Sequence, residues 1–254
     1  MKLPRLALSL LALCGVLAAS AVAAPVYELR TYTSPPGKRD ALLARFREHT
    51  LKLFEKHGMV NVIYWVPADS KDNGANKLIY LLEHKSREAA AASWKAFIAD
   101  PVWKDVNART TANGPIVEKV DSVFLTPTDY TKSMSDGFKA GGAARVFEMR
   151  TYTTPEGKLP NLDARFRDHT QKLFAKQGMS NLGYYHPMDA KNGAGTTLVY
   201  FLAYPSRDAA AAAWKGFRED PEWAKARTES EKNGKLTTKV ESVYLTPTDF
   251  SAIK

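Results

Sequence analysis

Glu28, Arg30 and Tyr32 stand at alternate positions in the stretch VYELRTY, and Glu148, Arg150 and Tyr152 repeat the arrangement in VFEMRTY. A stretch with period two is a strand, so each trio shares one face while Tyr27, Leu29 and Thr31, or their counterparts, share the other. If Leu29 packs under helices, Glu28 and Arg30 point toward an interior shared by the two copies. An arginine placed there can grip a carboxylate or phosphate by two parallel hydrogen bonds. The plainer role is an ion pair between neighbouring strands, because a buried charge requires a partner whatever the function. That plainer role is preferred, with Lys119 and Lys239 of the last strands completing the network. Arg30, Tyr32, Arg150 and Tyr152 remain candidates for holding a ligand.

His49 and His169 occupy equivalent places on a helix, beside Arg45 and Arg47 or Arg165 and Arg167. A histidine repeated in this way suits a general base or a ligand contact. No second histidine or carboxylate stands at His-Glu-x-x-His spacing, so no metal is expected, and a hydrogen-bonding role on the helix surface or in a cleft is preferred. Tyr64 and Tyr184, with Trp65, Tyr80, Tyr185 and Tyr200, lie on middle strands and have the character to line a cavity for an aromatic or lipid-like molecule. Strand aromatics are more often core. Trp94, Phe97, Trp103 and their equivalents Trp214, Phe217 and Trp223 read as helix-to-sheet packing. His57, His84 and His186 have no histidine counterparts and are assigned to local or surface contacts. The copies differ at Trp65 against Tyr185 and Val66 against His186, where a cavity would lie.

These residues recur because the chain repeats itself at an interval of 120 residues, from Val26 and Val146 to Tyr130 and Phe250, without insertion. ARFREHT returns as ARFRDHT, SREAAAASWKAF as SRDAAAAAWKGF, and SVFLTPTDY as SVYLTPTDF. Residues 24–130 and 146–254 are therefore expected to be homologous domains, joined by a linker with glycine and serine over 131–145. In the first copy a strand and a turn at Pro36 to Lys38 lead into a helix that carries Leu42, Phe46, Leu53 and Phe54 at helical spacing and stops at Gly58. A second strand closes at Pro67, SKDNGAN carries hairpin chemistry, and a third strand runs from Lys77 to His84. Ser86 caps an alanine-rich helix, Asp100-Pro101 restarts a helical turn, and a last strand runs from about Ile116 to Leu125. The order βαββαβ makes a four-stranded antiparallel sheet with its helices on one face. The other face must be covered, and the second copy can cover it. The fold class expected is α+β, two tandem ferredoxin-like βαββαβ domains pairing as a dimeric α+β barrel.

The first residues read as a targeting segment. Lys2 and Arg5 precede an apolar run and the small residues AVAA, which predicts a signal peptide over 1–23 cleaved after Ala23 and an exported, periplasmic or secreted protein. An uncleaved anchor is the alternative, since Leu6 to Ala24 approaches the length of a spanning helix. The alanine-rich end and the lack of a basic flank favour cleavage, after which no transmembrane segment is expected. Cys14 follows Leu13, where a lipidated cysteine requires a small residue, and it is the one cysteine of the chain. Disulfides and thiolate chemistry are thereby excluded from the mature protein. The formal charge of +9 includes Lys2 and Arg5; the remaining excess favours encounter with anionic surfaces. Lysines and arginines are scattered, so no nucleic acid partner is expected. G-x-S-x-G, phosphate-loop, dinucleotide and CxxC motifs are missing, and no cofactor is called for.

The repeats resemble the NIPSNAP family over nearly all of the mature chain. ELRTYTSPPGK and EMRTYTTPEGK match its opening strand and turn. The helix ending in HGM or QGM is similar to its first helix, and AAAASWKAFIADPVW to its alanine-rich helix and Asp-Pro-x-Trp segment. The resemblance implies a ferredoxin-like, dimeric α+β barrel fold and little chemistry, because the family has no agreed catalytic residues. The expectation is an exported barrel that binds a small molecule or presents a surface to a protein partner or a further copy of itself. The alternative is an enzyme, since dimeric α+β barrels include cofactor-free monooxygenases and haem-handling proteins. An enzyme would bring His49, Arg30 and Tyr64, or their second-copy equivalents, together in a cavity open to solvent.

Overall fold

The computed structural model describes residues 24–131 and 145–254. The expected signal peptide, and the expected linker apart from Thr131 and Arg145, lie outside them. In the first copy β1 (Val26–Thr33) is flanked by β3 (Lys77–His84) and β4 (Lys119–Pro127), and β3 also pairs with β2 (Val60–Pro67). In the second copy β5 (Val146–Thr153) lies between β7 (Thr197–Tyr204) and β8 (Lys239–Pro247), with β6 (Ser180–Pro187) outside β7. Every pairing is antiparallel. Two seams, β2 to β8 and β4 to β6, close the eight strands into one barrel within a single chain. The seams are short because Pro67 and Pro247 bound one and Pro127 and Pro187 the other, and a proline has no N–H with which to extend a ladder.

Beyond each seam the repeated TPTD segment crosses onto the other copy. The Thr128 N–H donates to the Tyr184 carbonyl, and the Thr248 N–H to that of Tyr64, both at 2.9 Å. Arg47 donates twice to Asp249, at 2.6 and 2.8 Å, and Arg167 donates twice to Asp129, at 3.0 and 2.7 Å. These exposed pairs fix orientation more than they add stability.

The lumen is filled by apolar side chains, among them Leu29, Ile63, Trp65, Leu81, Phe147 and Phe201. Trp65 stacks on Phe201 with ring centroids 5.3 Å apart. Gly183 stands where the first copy has Ile63, and a side chain there would meet the Tyr185 hydroxyl at 2.5 Å. The copies thus exchange an isoleucine and a tryptophan for a glycine and a tyrosine in the same space.

Helices cover the outer face. α1 (Arg39–Arg45) and α2 (Leu51–Lys56) are joined by a π turn over Phe46–Thr50, and α5 (Leu159–Arg165) and α6 (Gln171–Lys176) by another over Phe166–Thr170. The Thr50 hydroxyl donates to the Arg45 carbonyl at 3.2 Å and Thr170 to Arg165 at 3.1 Å, five residues back in each case. Gly58 (φ 77°) ends α2 in the left-handed region, where the spacing places a stop. Ser86 accepts from the Ala89 N–H at 3.1 Å to cap α3 (Arg87–Ala99), and Asp100 accepts from Val102 at 2.8 Å to cap α4 (Pro101–Thr110). α7 (Arg207–Glu219) and α8 (Pro221–Ser230) are capped alike by Ser206 and Asp220. SKDNGAN differs from the expected hairpin in forming a short 3-10 helix over Lys71–Asn76.

Candidate functional site

Glu28 and Glu148 each organise a buried knot between sheet and helix. Glu28 accepts from Arg30 at 2.5 Å, from Ser122 on β4 at 2.6 Å, from the Trp94 indole on α3 at 2.7 Å and from His84 on β3 at 3.1 Å. Glu148 accepts from Arg150 at 2.6 Å, Ser242 at 2.6 Å, Trp214 at 2.8 Å and the Tyr204 hydroxyl at 2.6 Å. The guanidinium of Arg30 lies 4.1 Å from the Trp94 ring centroid, and that of Arg150 lies 4.2 Å from Trp214. Burial and the Glu148 carboxylate push the Tyr204 hydroxyl well above the usual phenol range, which keeps it a donor.

This geometry corrects four expectations. The Glu and Arg trios face the helices and Leu29 faces the lumen, because the space enclosed by two sheets takes the apolar side of each strand while the helix layer supplies donors such as Trp94 to the polar side. The ion pair joins residues two apart on one strand, so it ties helix to sheet and does not close the barrel. Lys119 and Lys239 take no part, since each pairs at the surface with Asp121 or Glu241. His84 is no surface residue: its side chain is buried against Glu28.

Burial pushes the Glu28 carboxyl up, but the hydrogen bond from His84, the charge of Arg30 and the bonds from Ser122 and Trp94 outweigh it and hold it at about 2. A carboxyl lowered on folding stabilises fully above its ordinary value of 4.5, and that stabilisation is lost as pH falls through the folded value. The knot should therefore contribute on the order of 3 kcal/mol at neutral pH that is gone in strong acid. In urea unfolding, the protein should lose about that much more stability between about pH 5 and pH 2 than Glu28→Gln does. Parallel acid limbs would refute the assignment.

Beside the second knot lies a chamber of about 550 Å³, between the outer face of β5 and β8, the π turn and the helices α7 and α8. Its inner wall includes Tyr152, Phe166, Trp214 and Trp223, and Arg150, Arg165, Arg218 and Arg227 border it. Arg165 donates to Glu231 at 3.0 Å and lies 5.1 Å from the Trp223 centroid. The π turn sets Arg165, Phe166 and Thr170 together on this wall, which agrees with the tendency of such turns to gather at sites. Glu148 has all four acceptor positions in use, so it is an anchor and not a free base.

Of the residues singled out by sequence, Arg150 and Tyr152 line this chamber. Arg30 and Tyr32 hold the equivalent places in the first copy, where Arg30 lies 3.4 Å from the Tyr32 hydroxyl. Tyr64 and Tyr184 are buried, stack on Tyr80 and Tyr200, and donate to Asn61 and Asn181. His169 borders a separate hollow between α5 and α8, and His49 lies on the equivalent π turn with Glu48 at 3.8 Å as its nearest carboxylate. The convergence of histidine, arginine and tyrosine that an enzyme would require is not found among the described residues. His186 lies instead 3.0 Å from Asp163, and His57 2.7 Å from Asp100. Sequence reasoning missed Trp214, Ser242 and Tyr204 as partners of Glu148, and it missed Arg218 and Arg227; the constant spacing of both knots was the available signal. Among the described residues no group of three or more His, Cys, Asp or Glu could hold a metal ion, and no helix is long and apolar enough to cross a membrane.

The fold and site define a tandem ferredoxin-like α+β barrel with a chamber between sheet and helices. The NIPSNAP family model matches residues 27–132 and again 147–252, and the chain belongs to that family. No curated protein matches it. Among solved structures, a candidate monooxygenase from Fusobacterium nucleatum is 13% identical with a TM-score of 0.60, over 92% of this chain and 96% of that one. A candidate monooxygenase from Lactobacillus acidophilus is 11% identical with a TM-score of 0.54, over 91% and 100%. An anthrone oxidase-like protein is 15% identical with a TM-score of 0.54, over 90% and 93%. At these identities the likeness is one of fold.

Proposed function

We propose that this NIPSNAP protein is an exported barrel that binds a small molecule in the chamber of its second copy. The observation that carries the reading is the 550 Å³ space walled by aromatic rings and bordered by arginines, a size and lining suited to small ligands. The lumen is packed with apolar side chains, and the hollow at its edge beside Ile79, Met149 and Val243 is about half as large, 280 Å³. Export rests on the apolar, small-residue start of the sequence.

A second reading, a cofactor-free oxygenase, draws on the names of the structural neighbours and on the place of the chamber between sheet and helices. Glu148 is saturated, Glu231 is held by Arg165 and Arg227, and His169 does not line the chamber, so neither carboxylate stands free as a base. Haem handling fits less well, since no histidine, cysteine or methionine lines the chamber and only Tyr152 and Tyr244 would be left as axial ligands. Native mass spectrometry of the mature protein taken gently from its cell envelope tests the main reading. One organic molecule per chain, recovered unchanged after incubation in air, is the expected result. Oxygen uptake with conversion of that molecule would favour the oxygenase, and a chain that is empty and binds nothing would overturn both.

A further inference from the structure

The two copies keep the same knot but differ around the mouth of the chamber, and the differences run in one direction. Where the second copy has Arg218, Arg227, Glu231 and Tyr244, the first has Ile98, Asn107, Thr111 and Phe124. Ile98 is 59% exposed, so the first copy presents an apolar side chain at this place. The second presents guanidinium groups. Arg218 makes no ion pair among the described residues, and Arg227 approaches Glu231 only at 3.4 Å while Arg165 holds the same carboxylate at 3.0 Å. Four arginines against Glu148 and Glu231 leave the chamber with an excess of two positive charges.

Resting on the reading of the chamber as a small-molecule site, we propose that the second copy alone is a receptor for an aromatic anion. A flat ring system lies along the Trp214 and Trp223 side of the wall, and its carboxylate, or a group of like charge and shape, is met at the mouth by Arg218 and Arg227. Planar guanidinium groups match a carboxylate in geometry and stack on aromatic faces. The first copy, with Ile98 and Asn107 at those places, takes no anion.

The test is calorimetric titration of the mature protein with 2-naphthoate and with its uncharged analogue 2-naphthamide. One naphthoate per chain is expected, bound about tenfold more tightly than the amide and weakened by salt. Arg218→Ala with Arg227→Ala should remove that advantage, weakening naphthoate about tenfold more than the amide; both side chains are exposed, so the fold should persist. Ile98→Ala in the first copy, at an exposed side chain, should change neither. Equal affinities, or naphthoate binding that survives loss of the two arginines, would overturn the anion receptor while leaving a small-molecule chamber in place. Two naphthoates per chain would overturn the division between the copies. Failure of both probes to bind overturns this proposal, and if the native protein also carries nothing, the binding function falls with it.

Discussion

Glu148→Ala should lower the free energy of unfolding by about 3–5 kcal/mol, as removal of one member of a buried charge pair does. The loss is large because Glu148 answers four donors, Arg150, Ser242, Tyr204 and Trp214, and its own side chain is 1% exposed. Arg150→Ala should cost less, about 2 kcal/mol, since the carboxylate keeps three donors after the guanidinium is gone. Tyr204→Phe should cost about 1 kcal/mol, the worth of one hydroxyl in a satisfied network. Urea unfolding at neutral pH gives all three, and the order is the test. An Arg150 variant less stable than the Glu148 variant would mean that the arginine, and not the carboxylate, is the organising group.

Trp65→Ala should cost a similar amount, about 3–5 kcal/mol, for a different reason. Trp65 is fully buried in the lumen, stacked on Phe201 and 5.8 Å from Phe147, both of the second copy. Its backbone also pairs with Pro247 in the seam. The cavity left behind belongs to both sheets, so the second copy should be weakened by a substitution in the first. Hydrogen exchange reads this directly: amides of β5 and β7 should lose protection along with those of β2 and β3. Full protection in β5 and β7 would show two cores that unfold separately.

The architecture was legible because it is written in periods and stops. Alternation marked β1 and β5, Ser86 and Asp100 marked helix starts, Gly58 marked an end, and the repeat marked two sheets that need each other. What alternation cannot say is which side of a strand faces inward. Tyr27 and Leu29 on one side and Glu28, Arg30 and Tyr32 on the other are both buried or partly buried, and only the closed barrel decides between the lumen and the helix layer. The π turns were also hidden, since one extra residue within ARFREHT leaves Phe46 and Phe54 on the same side and breaks no pattern that a wheel would reveal. The partners of Glu28 lie 56, 66 and 94 residues along the chain, distances that no local rule spans. The mouth of the chamber was in principle readable by subtracting one copy from the other. The differences at Trp65 against Tyr185 and at Val66 against His186 belong instead to the lumen and to the seam strands.

Closure of the barrel by two short seams within one chain changes what kind of event assembly is. Two separate copies would meet at the cellular concentration of the protein and part on dilution. Tethered copies meet at an effective concentration on the order of millimolar when the connection is short, so the barrel should persist in solutions too dilute to sustain a dimer of single repeats. The tether also lifts a constraint of symmetry. In a pair of identical subunits every change is made twice, and a charge gained at one mouth is gained at both. In one chain, a copy can keep the shape of the enclosure while its twin is free to acquire a preference of its own.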